Sequence, residues 1–384
     1  MRYFLIAGEK SGDLHGANLV NELLKADPEA VIECWGGDQM QASGAKLLMH
    51  YRKTAYMGFV EVLKNIGSIR KNILLCKSQI MASNPDVVIL IDYPGFNLRI
   101  ADFAKRKGFV VFYYISPKLW AWNEKRVEKV RRYVDRMYII FPFEVAFYEK
   151  HNIRAVYCGN PLLDETERKM SSLPGKEECR KSLGLEDKPV IALLAGSRKS
   201  EVKQVLPRMI EIIPEFPDYQ FVVAGVNNLP DALYKEITDD HKLKVIRDKT
   251  YEILHVADAA LVTSGTATLE AALFNIPQVV CFRGDFFSML IAWMVIKVKY
   301  ISLVNLIAGE EIVRELVQYS LNRKNLAEEL RSILTGGSKR GIMLEGYRKV
   351  RTILGPPGAS ERVATDIVRS LYEIKRGRNL IANG

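Results

Sequence analysis

The chain has 384 residues, 48% of them hydrophobic and 26% charged, a balance that excludes a disordered or fibrous protein. Because one domain typically takes about 100 to 200 residues, the length predicts two domains or one unusually large one. Lys and Arg number 55 against 45 Asp and Glu, and the resulting formal charge of +10 favours phosphates, nucleic acid or acidic lipid over cationic partners.

The first half alternates short apolar runs with helical periodicity. Strands are predicted at residues 2–7, 31–35, 87–91, 110–115, 137–140 and 155–158. Helices are expected to begin near Asp13, Asn97 and Glu144. This alternation predicts a parallel sheet with helices on both faces, which binds ligands at the carboxyl ends of its strands.

A polar stretch at residues 163–188 is interpreted as a linker, after which the alternation resumes. Strands are predicted at residues 190–194, 220–224, 244–246, 259–263 and 278–282. The sequence therefore predicts an α/β protein with Rossmann-like domains at 1–165 and 166–354. Residues 355–384 begin with a Gly-Pro-Pro-Gly break, after which a C-terminal helix is predicted from Ser360. This helix could cover either domain or a second subunit, so a homodimer stays open.

The five cysteines are widely spaced and include no C-x-x-C pair, which predicts free thiols in a reducing cytosol. The apolar run at residues 3–8 is too short for a signal peptide. The run at 286–296 is shorter than the roughly 20 residues of a membrane-spanning helix. We therefore expect a cytoplasmic protein without a transmembrane segment.

A glycine-rich turn follows the first predicted strand and opens a helix. Its candidate binding residues are Gly8, Glu9, Ser11 and Gly12, because glycines let backbone amides approach a ligand and a helix N-terminus attracts anions. The spacing matches neither G-x-G-x-x-G nor the Walker motif. A purely structural turn stays open, and His15 is predicted to be a packing or surface residue.

Asp92 directly follows the predicted strand at residues 87–91, at the carboxyl end of that strand. A carboxylate at that edge can take a proton from a sugar hydroxyl, so Asp92 is the candidate general base. An N-cap role is the alternative.

Two turns of the second half predict a nucleoside-diphosphate site. Gly196, Ser197 and Arg198 precede a helix and combine hydroxyl, guanidinium and helix-terminal amides, which suits a diphosphate. The small and hydroxyl-bearing residues of the other turn can wrap phosphate oxygens: Ser264, Gly265, Thr266, Ala267 and Thr268. Glu270 can accept hydrogen bonds from two ribose hydroxyls. An ordinary N-cap is the alternative for Ser264.

No D-x-D motif is present, so the sequence predicts no metal on the diphosphate and no cofactor. Arg198 and helix-terminal amides would stabilise the leaving group instead.

Residues 57–80 and 286–307 interleave apolar and basic side chains and favour an anionic membrane surface or an acylated, phosphorylated substrate, although buried helices would explain them too. The basic run at 125–136 includes acidic residues and fits a solvated helix better than a nucleic-acid interface.

These motifs, in this order, resemble the lipid-A-disaccharide synthases, a family of GT-B glycosyltransferases. The resemblance rests on AGEKSGDLHGA (7–17), WGGDQMQASG (35–44), MGFVEVL (57–63), IDYPGFN (91–97), YISPKLWAW (114–122), FPFEVAFY (141–148), GSRKSEV (196–202), SGTATLE (264–270) and SLVNLIAGEEIVRELVQ (302–318). It implies two Rossmann-like domains facing an interdomain cleft.

The resemblance further implies an inverting reaction that joins UDP-2,3-diacylglucosamine to 2,3-diacylglucosamine 1-phosphate in a β-1,6 linkage and releases UDP. Asp92 would act on the acceptor 6-hydroxyl, and Glu9 and Ser11 would line the first domain's wall of the site. Asn305 would join Arg198 and Glu270 in holding UDP. The enzyme would work at the cytoplasmic face of the inner membrane.

The chain departs from the family pattern at four positions. Gly95 stands where a second Asp is common, Asn160 replaces a His, Asn123 replaces a frequent Arg, and Ala195 replaces a Pro. These changes bear on acyl-chain preference rather than on the proposed base. A lipid-linked N-acetylglucosaminyltransferase or a UDP-sugar 2-epimerase is the alternative function, and a basic nucleic-acid-binding protein is a remote one.

Overall fold

The computed structural model describes residues 1–54, 66–122, 126–239, 243–284 and 299–382. The chain divides into two units. The first comprises Met1–Pro161 and Pro356–Gly384, and the second comprises Leu162–Gly355. The expected boundary at 165/166 falls inside the helix Pro161–Ser172, which begins at the division between the units.

The first unit contains a seven-stranded parallel sheet in the order β3-β2-β1-β4-β5-β6-β7. Its strands are β1 Arg2–Ala7, β2 Val31–Gly36, β3 Lys46–His50, β4 Val87–Ile91, β5 Val110–Tyr114, β6 Arg136–Ile139 and β7 Ala155–Tyr157. Its helices are Lys10–Ala26, Asp38–Ala42, Ile66–Ser83, Pro94–Arg106, Leu119–Trp122, Val127–Tyr133, Phe143–Lys150 and Ala359–Ala382. The strand order reverses between β1 and β4.

The second unit contains a six-stranded parallel sheet in the order β10-β9-β8-β11-β12-β13. Its strands are β8 Val190–Leu194, β9 Gln220–Gly225, β10 Lys244–Arg247, β11 Ala259–Thr263, β12 Gln278–Phe282 and β13 Glu315–Val317. Its helices are Pro161–Ser172, Lys176–Ser182, Lys199–Ile210, Asp231–Thr238, Thr250–Val256, Thr266–Leu273, Leu303–Ala308, Arg323–Ile333 and Arg340–Leu354. Here the order reverses between β8 and β11.

Both faces of the first sheet are buried, which explains its nearly continuous apolar strands. Alternate side chains of β1 enter opposite cores: Tyr3 and Leu5 pack on one face, and Phe4 and Ile6 on the other. This arrangement confirms the predicted α/β class with two doubly wound sheets. The expected cleft between the two units stays a prediction.

The strands β3 and β13 and the helices after Pro161 differ from the prediction. Both strands lie at sheet edges, where one neighbour and partial burial weaken the apolar signal. The supposed linker forms the helices Pro161–Ser172 and Lys176–Ser182, and Cys179 and Leu183 enter the core of the second unit.

The C-terminal helix Ala359–Ala382 packs on the first unit of its own chain, a choice the sequence left open. Its predicted apolar stripe of Val363, Ile367 and Leu371 is buried in that core. Arg136 donates to both carboxylate oxygens of Asp366, at 2.6 and 3.0 Å, and both side chains are largely buried. This fork-to-fork pair fixes the angle of the helix against β6.

Among the helices of the described ranges, none combines the length and apolar composition that crossing a bilayer requires.

Replacing Ile367 with Ala should lower the free energy of unfolding by about 2 to 5 kcal/mol, because the side chain is fully buried and would leave a cavity. Urea denaturation measures the change. Glu373→Ala, an exposed position on the same helix, is the matched control and should change stability by less than about 0.5 kcal/mol. Equal effects of the two substitutions would contradict the docking described above.

Candidate functional site

The first group of predicted site residues meets where the strand order reverses. β1 pairs with β4, and Ala7 lies opposite Ile91 at their carboxyl ends. Gly8 and Glu9 follow one strand and Asp92 follows the other, so residues 84 and 83 positions apart in the chain share one edge of the sheet. Open parallel sheets bind ligands at this point.

Asp92 occupies a tight turn that several hydrogen bonds hold. Asp92 and Tyr93 both have left-handed backbone conformations, with φ of 45° and 48°. The Asn97 side-chain amide donates to the carbonyl oxygens of Ile91 at 3.2 Å and Asp92 at 2.8 Å. The Tyr113 hydroxyl also donates to the Asp92 carbonyl. The surrounding structure thus over-determines an unfavourable backbone, as is common at functional sites.

The Asp92 carboxyl has the properties of a proton acceptor near neutral pH. Burial raises its pKa to about 6, the Glu9 carboxylate adds to the increase, and the Lys118 ammonium opposes it. The helix Pro94–Arg106 has Tyr93 at its N-cap, and Asp92 is therefore not the cap that the alternative interpretation required. A carboxylate with a raised pKa at a ligand-binding edge is a candidate general base.

The glycine-rich turn after β1 is built around Tyr93. A Cβ atom at Gly8 would overlap the Tyr93 ring, so only glycine fits there. Gly12 packs against Ala7 in the first turn of the helix Lys10–Ala26. Glu9 is half-buried at the N-cap, and Ser11 is exposed.

Asp13 is a supporting residue that sequence reasoning missed. Its carboxylate is 2% exposed and accepts backbone hydrogen bonds from Gly37 at 2.6 Å, Gln39 at 3.1 Å and Met40 at 3.2 Å. These bonds tie the helix Lys10–Ala26 to the turn after β2. His15, on the same helix, fits its predicted packing role, because burial lowers the pKa of its imidazole to about 4.

Glu144 is a second supporting residue, which the sequence marked only as the expected start of a helix. Ser116 and Trp120 donate to one of its carboxylate oxygens, the latter at 3.1 Å. The backbone amides of Ile140 and Phe141 donate to the other oxygen at 3.3 and 3.1 Å. Glu144 thereby joins the loops after β5 and β6, next to β4, and burial still raises its pKa to about 7.

Two positions that depart from the family pattern, Gly95 and Asn160, do not disturb this edge. Gly95 has open space around it and no unusual backbone angle. The Asn160 side chain is buried and donates to the Ile140 carbonyl at 3.0 Å. Asn123 lies outside the described residues.

In the second unit, the two predicted phosphate-binding turns also meet at the reversal of strand order. β8 pairs with β11, and Leu194 lies opposite Val262. Gly196, Ser197 and Arg198 follow β8, and Ser264 to Thr268 follow β11. Gly196 has φ of 102°, and a Cβ atom there would overlap the Glu201 side chain.

Glu201 occupies backbone amides that were expected to be free for a diphosphate. One carboxylate oxygen accepts from the amides of Ser197 and Arg198, at 3.0 and 3.1 Å. The other accepts from the Arg198 guanidinium at 2.9 Å. The Arg198 side chain nevertheless remains 72% exposed. An anion at this turn would therefore meet the guanidinium and the exposed Ser197 hydroxyl rather than these two amides.

Two hydroxyls of the second turn are engaged within the protein. Ser264 donates to the Ile301 carbonyl at 2.8 Å. Thr268 is buried, donates to the Gly265 carbonyl at 2.8 Å and accepts from the Leu303 amide at 3.3 Å. Gly265, rather than Ser264, is the N-cap of the helix Thr266–Leu273. Thr266 is exposed and Ala267 half-buried.

Asn305, predicted to hold UDP, is fully buried. Its amide nitrogen donates to Val313 and Glu315, and its oxygen accepts from the amides of Ile312 and Val313, all at 2.7 to 2.9 Å. All four hydrogen-bonding positions of the side chain are used, so its geometry assigns it a supporting role. Glu315 accepts in addition from the Ile301 and Ser302 amides, at 3.0 and 2.9 Å.

Glu270 is half-buried in the helix Thr266–Leu273. Burial raises the pKa of its carboxyl to about 7, and the Glu165 carboxyl adds to the increase. The Tyr251 hydroxyl donates to Glu270 Oε1 at 3.4 Å and opposes the increase. Within the described ranges, no group of three or more His, Cys, Asp or Glu side chains could hold a metal ion.

Comparison with known families identifies one match over nearly the whole chain. A family model described as lipid-A-disaccharide synthetase matches residues 3–361. The lipid-A-disaccharide synthase of Geobacter metallireducens is 38% identical over 377 residues, which cover 96% of this chain and 97% of that protein. The enzyme of the same name from Syntrophus aciditrophicus is 38% identical over 380 residues and covers 97% of each chain.

Solved structures share the fold at low sequence identity. A UDP-GlcNAc 2-epimerase from Neisseria meningitidis bound to UDP-GlcNAc has a TM-score of 0.69 at 14% identity, over 96% of this chain and all of that one. The glycotransferase of kitacinnamycin has a TM-score of 0.64 at 12% identity, over 96% of this chain and 98% of that one.

Proposed function

The chain belongs to the lipid-A-disaccharide synthase family, and from this premise we propose how its residues carry out the reaction. The protein is a glycosyltransferase that joins UDP-2,3-diacylglucosamine to 2,3-diacylglucosamine 1-phosphate and releases UDP. The epimerase alternative is not favoured, because the epimerase structures share only the fold with this chain, whereas the family model spans it.

Asp92 is the proposed general base, and its raised pKa at the β1/β4 edge is the observation that carries the proposal. The ionised carboxylate takes the proton of the acceptor 6-hydroxyl as that oxygen attacks the anomeric carbon of the donor. The new carbon–oxygen bond forms while the bond to the diphosphate breaks, and UDP leaves. Attack from the face opposite the leaving group inverts the anomeric centre.

The donor is proposed to bind through the turns after β8 and β11. The exposed Arg198 guanidinium and the Ser197 hydroxyl suit the diphosphate charge that grows as UDP leaves. Gly196, Gly265, Thr266 and Ala267 would let the phosphates approach the backbone. Glu270 would accept from the ribose hydroxyls.

Ser264, Thr268 and Asn305 are proposed to support this site without contacting the donor. Their side chains hydrogen-bond to Ile301, Leu303 and Val313, which keeps the turn after β11 in place. In the first unit, Gly8 and Gly12 shape the turn beside Asp92, and Glu9 and Ser11 would face the substrate.

We propose that the protein works as a peripheral protein at the cytoplasmic face of the inner membrane. All five cysteines are free, as in a reducing compartment. The helix Ile66–Ser83 contains no acidic residue and exposes Leu74, Leu75 and Met81 beside Arg70 and Lys71. Residues 57–65 and 286–298 of the predicted lipid-binding segments lie outside the described residues.

Nucleic acid is not among the proposed partners. Within the basic run at 126–136, Glu128 pairs with Arg131 and Arg132 on an exposed helix, as expected of a solvated surface. The C-terminal helix packs on its own chain, so it gives no evidence for a second subunit. A homodimer therefore stays a prediction, which sedimentation equilibrium can test.

Asp92→Asn should reduce kcat by about 10² to 10⁴, because the amide cannot accept the proton. Wild-type kcat should fall as the pH drops through about 6, where Asp92 becomes protonated. Initial rates of disaccharide formation, followed by mass spectrometry, measure both effects. Asp102→Asn, which removes an exposed carboxylate of the following helix, is the control. Unchanged turnover by folded Asp92→Asn protein would refute the assignment.

Wild-type protein should bind UDP about 10-fold or more tightly than 2′-deoxy-UDP, because a hydrogen bond to an ionised carboxylate is strong. Glu270→Gln should remove most of this preference in calorimetry. Glu252→Gln, which removes a neighbouring carboxylate paired with Lys249, should keep it. A Glu270→Gln protein that still prefers UDP to the same extent would show that Glu270 does not contact the ribose.

Vesicles containing phosphatidylglycerol should sediment the protein, and neutral vesicles should not, because the exposed helix face is basic as well as apolar. Leu74→Ser should weaken this binding several-fold, whereas Tyr319→Ser, at another exposed site, should leave it unchanged. Equal binding to both vesicle types would contradict an electrostatic contribution.

A further inference from the structure

The Tyr251 hydroxyl lies near two carboxyl groups in the second unit. It donates to Glu270 Oε1 at 3.4 Å, and the Glu165 carboxyl is close enough to interact electrostatically with both Tyr251 and Glu270. The Tyr251 ring stacks on Phe274, with ring centroids 5.5 Å apart and planes 12° from parallel. The three polar groups come from three different helices, Pro161–Ser172, Thr250–Val256 and Thr266–Leu273.

The two carboxyl groups cannot both carry a charge at low cost. A phenol has one proton and can donate to one carboxylate at a time. Burial raises the pKa of Glu165 as well as that of Glu270, and the negative charge of Glu165 adds to the increase at Glu270. Glu270 is faced by Glu165 and Tyr251. Arg168 and Lys169 of the same helix favour the charged form of Glu165, but burial outweighs them and its pKa is raised.

We propose that Glu165 and Tyr251 are positioning residues for the nucleotide: Glu165 takes the proton that Glu270 must lose to accept two ribose hydroxyls, and Tyr251 orients the resulting Glu270 carboxylate. This inference rests on the proposed contact between Glu270 and the ribose. No net proton is lost in the transfer, because one carboxyl group gives it to the other. The family motifs in the sequence include neither Glu165 nor Tyr251.

The arrangement predicts how nucleotide affinity depends on pH. When the pH falls, both carboxyl groups become protonated and Glu270 can no longer accept from both hydroxyls, so UDP should bind more weakly. Glu165→Gln removes the neighbouring negative charge, lowers the pKa of Glu270 and should preserve binding to lower pH. Tyr251→Phe removes a hydrogen bond that favours the ionised form, raises the pKa of Glu270 and should weaken binding already at higher pH.

Calorimetric titration of the full chain with UDP between pH 5 and 8 tests this inference. The midpoint of the affinity loss should move down by about one pH unit in Glu165→Gln and up in Tyr251→Phe. Glu167→Gln, two residues away and paired with Arg351, is the matched control and should keep the wild-type midpoint. Protonation of UDP itself affects all variants equally, so the comparison uses only the differences in midpoint between variants.

The outcomes separate the inference from the proposed function. If both variants keep the wild-type midpoint while Glu270→Gln loses its preference for UDP over 2′-deoxy-UDP, the positioning roles are wrong and the ribose contact stands. If Glu270→Gln keeps that preference, the ribose contact itself is wrong. Glu165→Ala provides a second removal of the charge should Glu165→Gln not fold, and it should move the midpoint in the same downward direction. An upward or absent shift in a folded Glu165 variant overturns the inference.

Discussion

Buried and half-buried carboxylates that accept backbone N–H groups hold turns in and beside both candidate sites. Four residues share this arrangement: Asp13, Glu144, Glu201 and Glu315. Each fixes at least two amides of a nearby turn, and hydrogen bonds to an ionised acceptor are about twice as strong as neutral ones. The turns that carry binding residues therefore have defined shapes before any substrate arrives, which reduces the entropy lost on binding.

Asp92 and Glu270 differ from these supporting carboxylates in what surrounds them. Each has a second carboxyl group nearby, Glu9 in one case and Glu165 in the other, whose negative charge adds to the effect of burial in raising the pKa towards neutrality. Such groups change protonation state near physiological pH, which suits proton transfer at Asp92 and controlled ionisation at Glu270. Burial also raises the pKa of Glu144, but no neighbouring carboxyl group contributes there. The proposed functional roles thus fall on Asp92 and Glu270, whereas the carboxylates that bind two or more backbone amides maintain the architecture.

The sequence predicted most of the fold because both sheets are buried on two faces and their central strands are continuous apolar runs. Edge strands such as β3 lack this signal. Asp92 and Glu270 could be found because each follows a strand end at a recognisable turn. Asp13 could not, because its partner Gly37 lies 24 residues away and meets it only in the folded chain. The local bond of Glu144 to the Phe141 amide was within reach, but its bond to Ser116, 28 residues away, forms only in the folded chain. Glu201 lies three residues from Arg198, so its capping role was within reach of sequence reasoning.

The central claim is that Asp92 receives the proton of the attacking hydroxyl. A crystal structure of the Asp92→Asn variant with UDP and the acylated glucosamine 1-phosphate acceptor tests it most directly. The account predicts the residue 92 side chain within about 3.2 Å of the acceptor 6-hydroxyl oxygen. An acceptor whose 6-hydroxyl is hydrogen-bonded to a different titratable side chain, with residue 92 turned away, would contradict it.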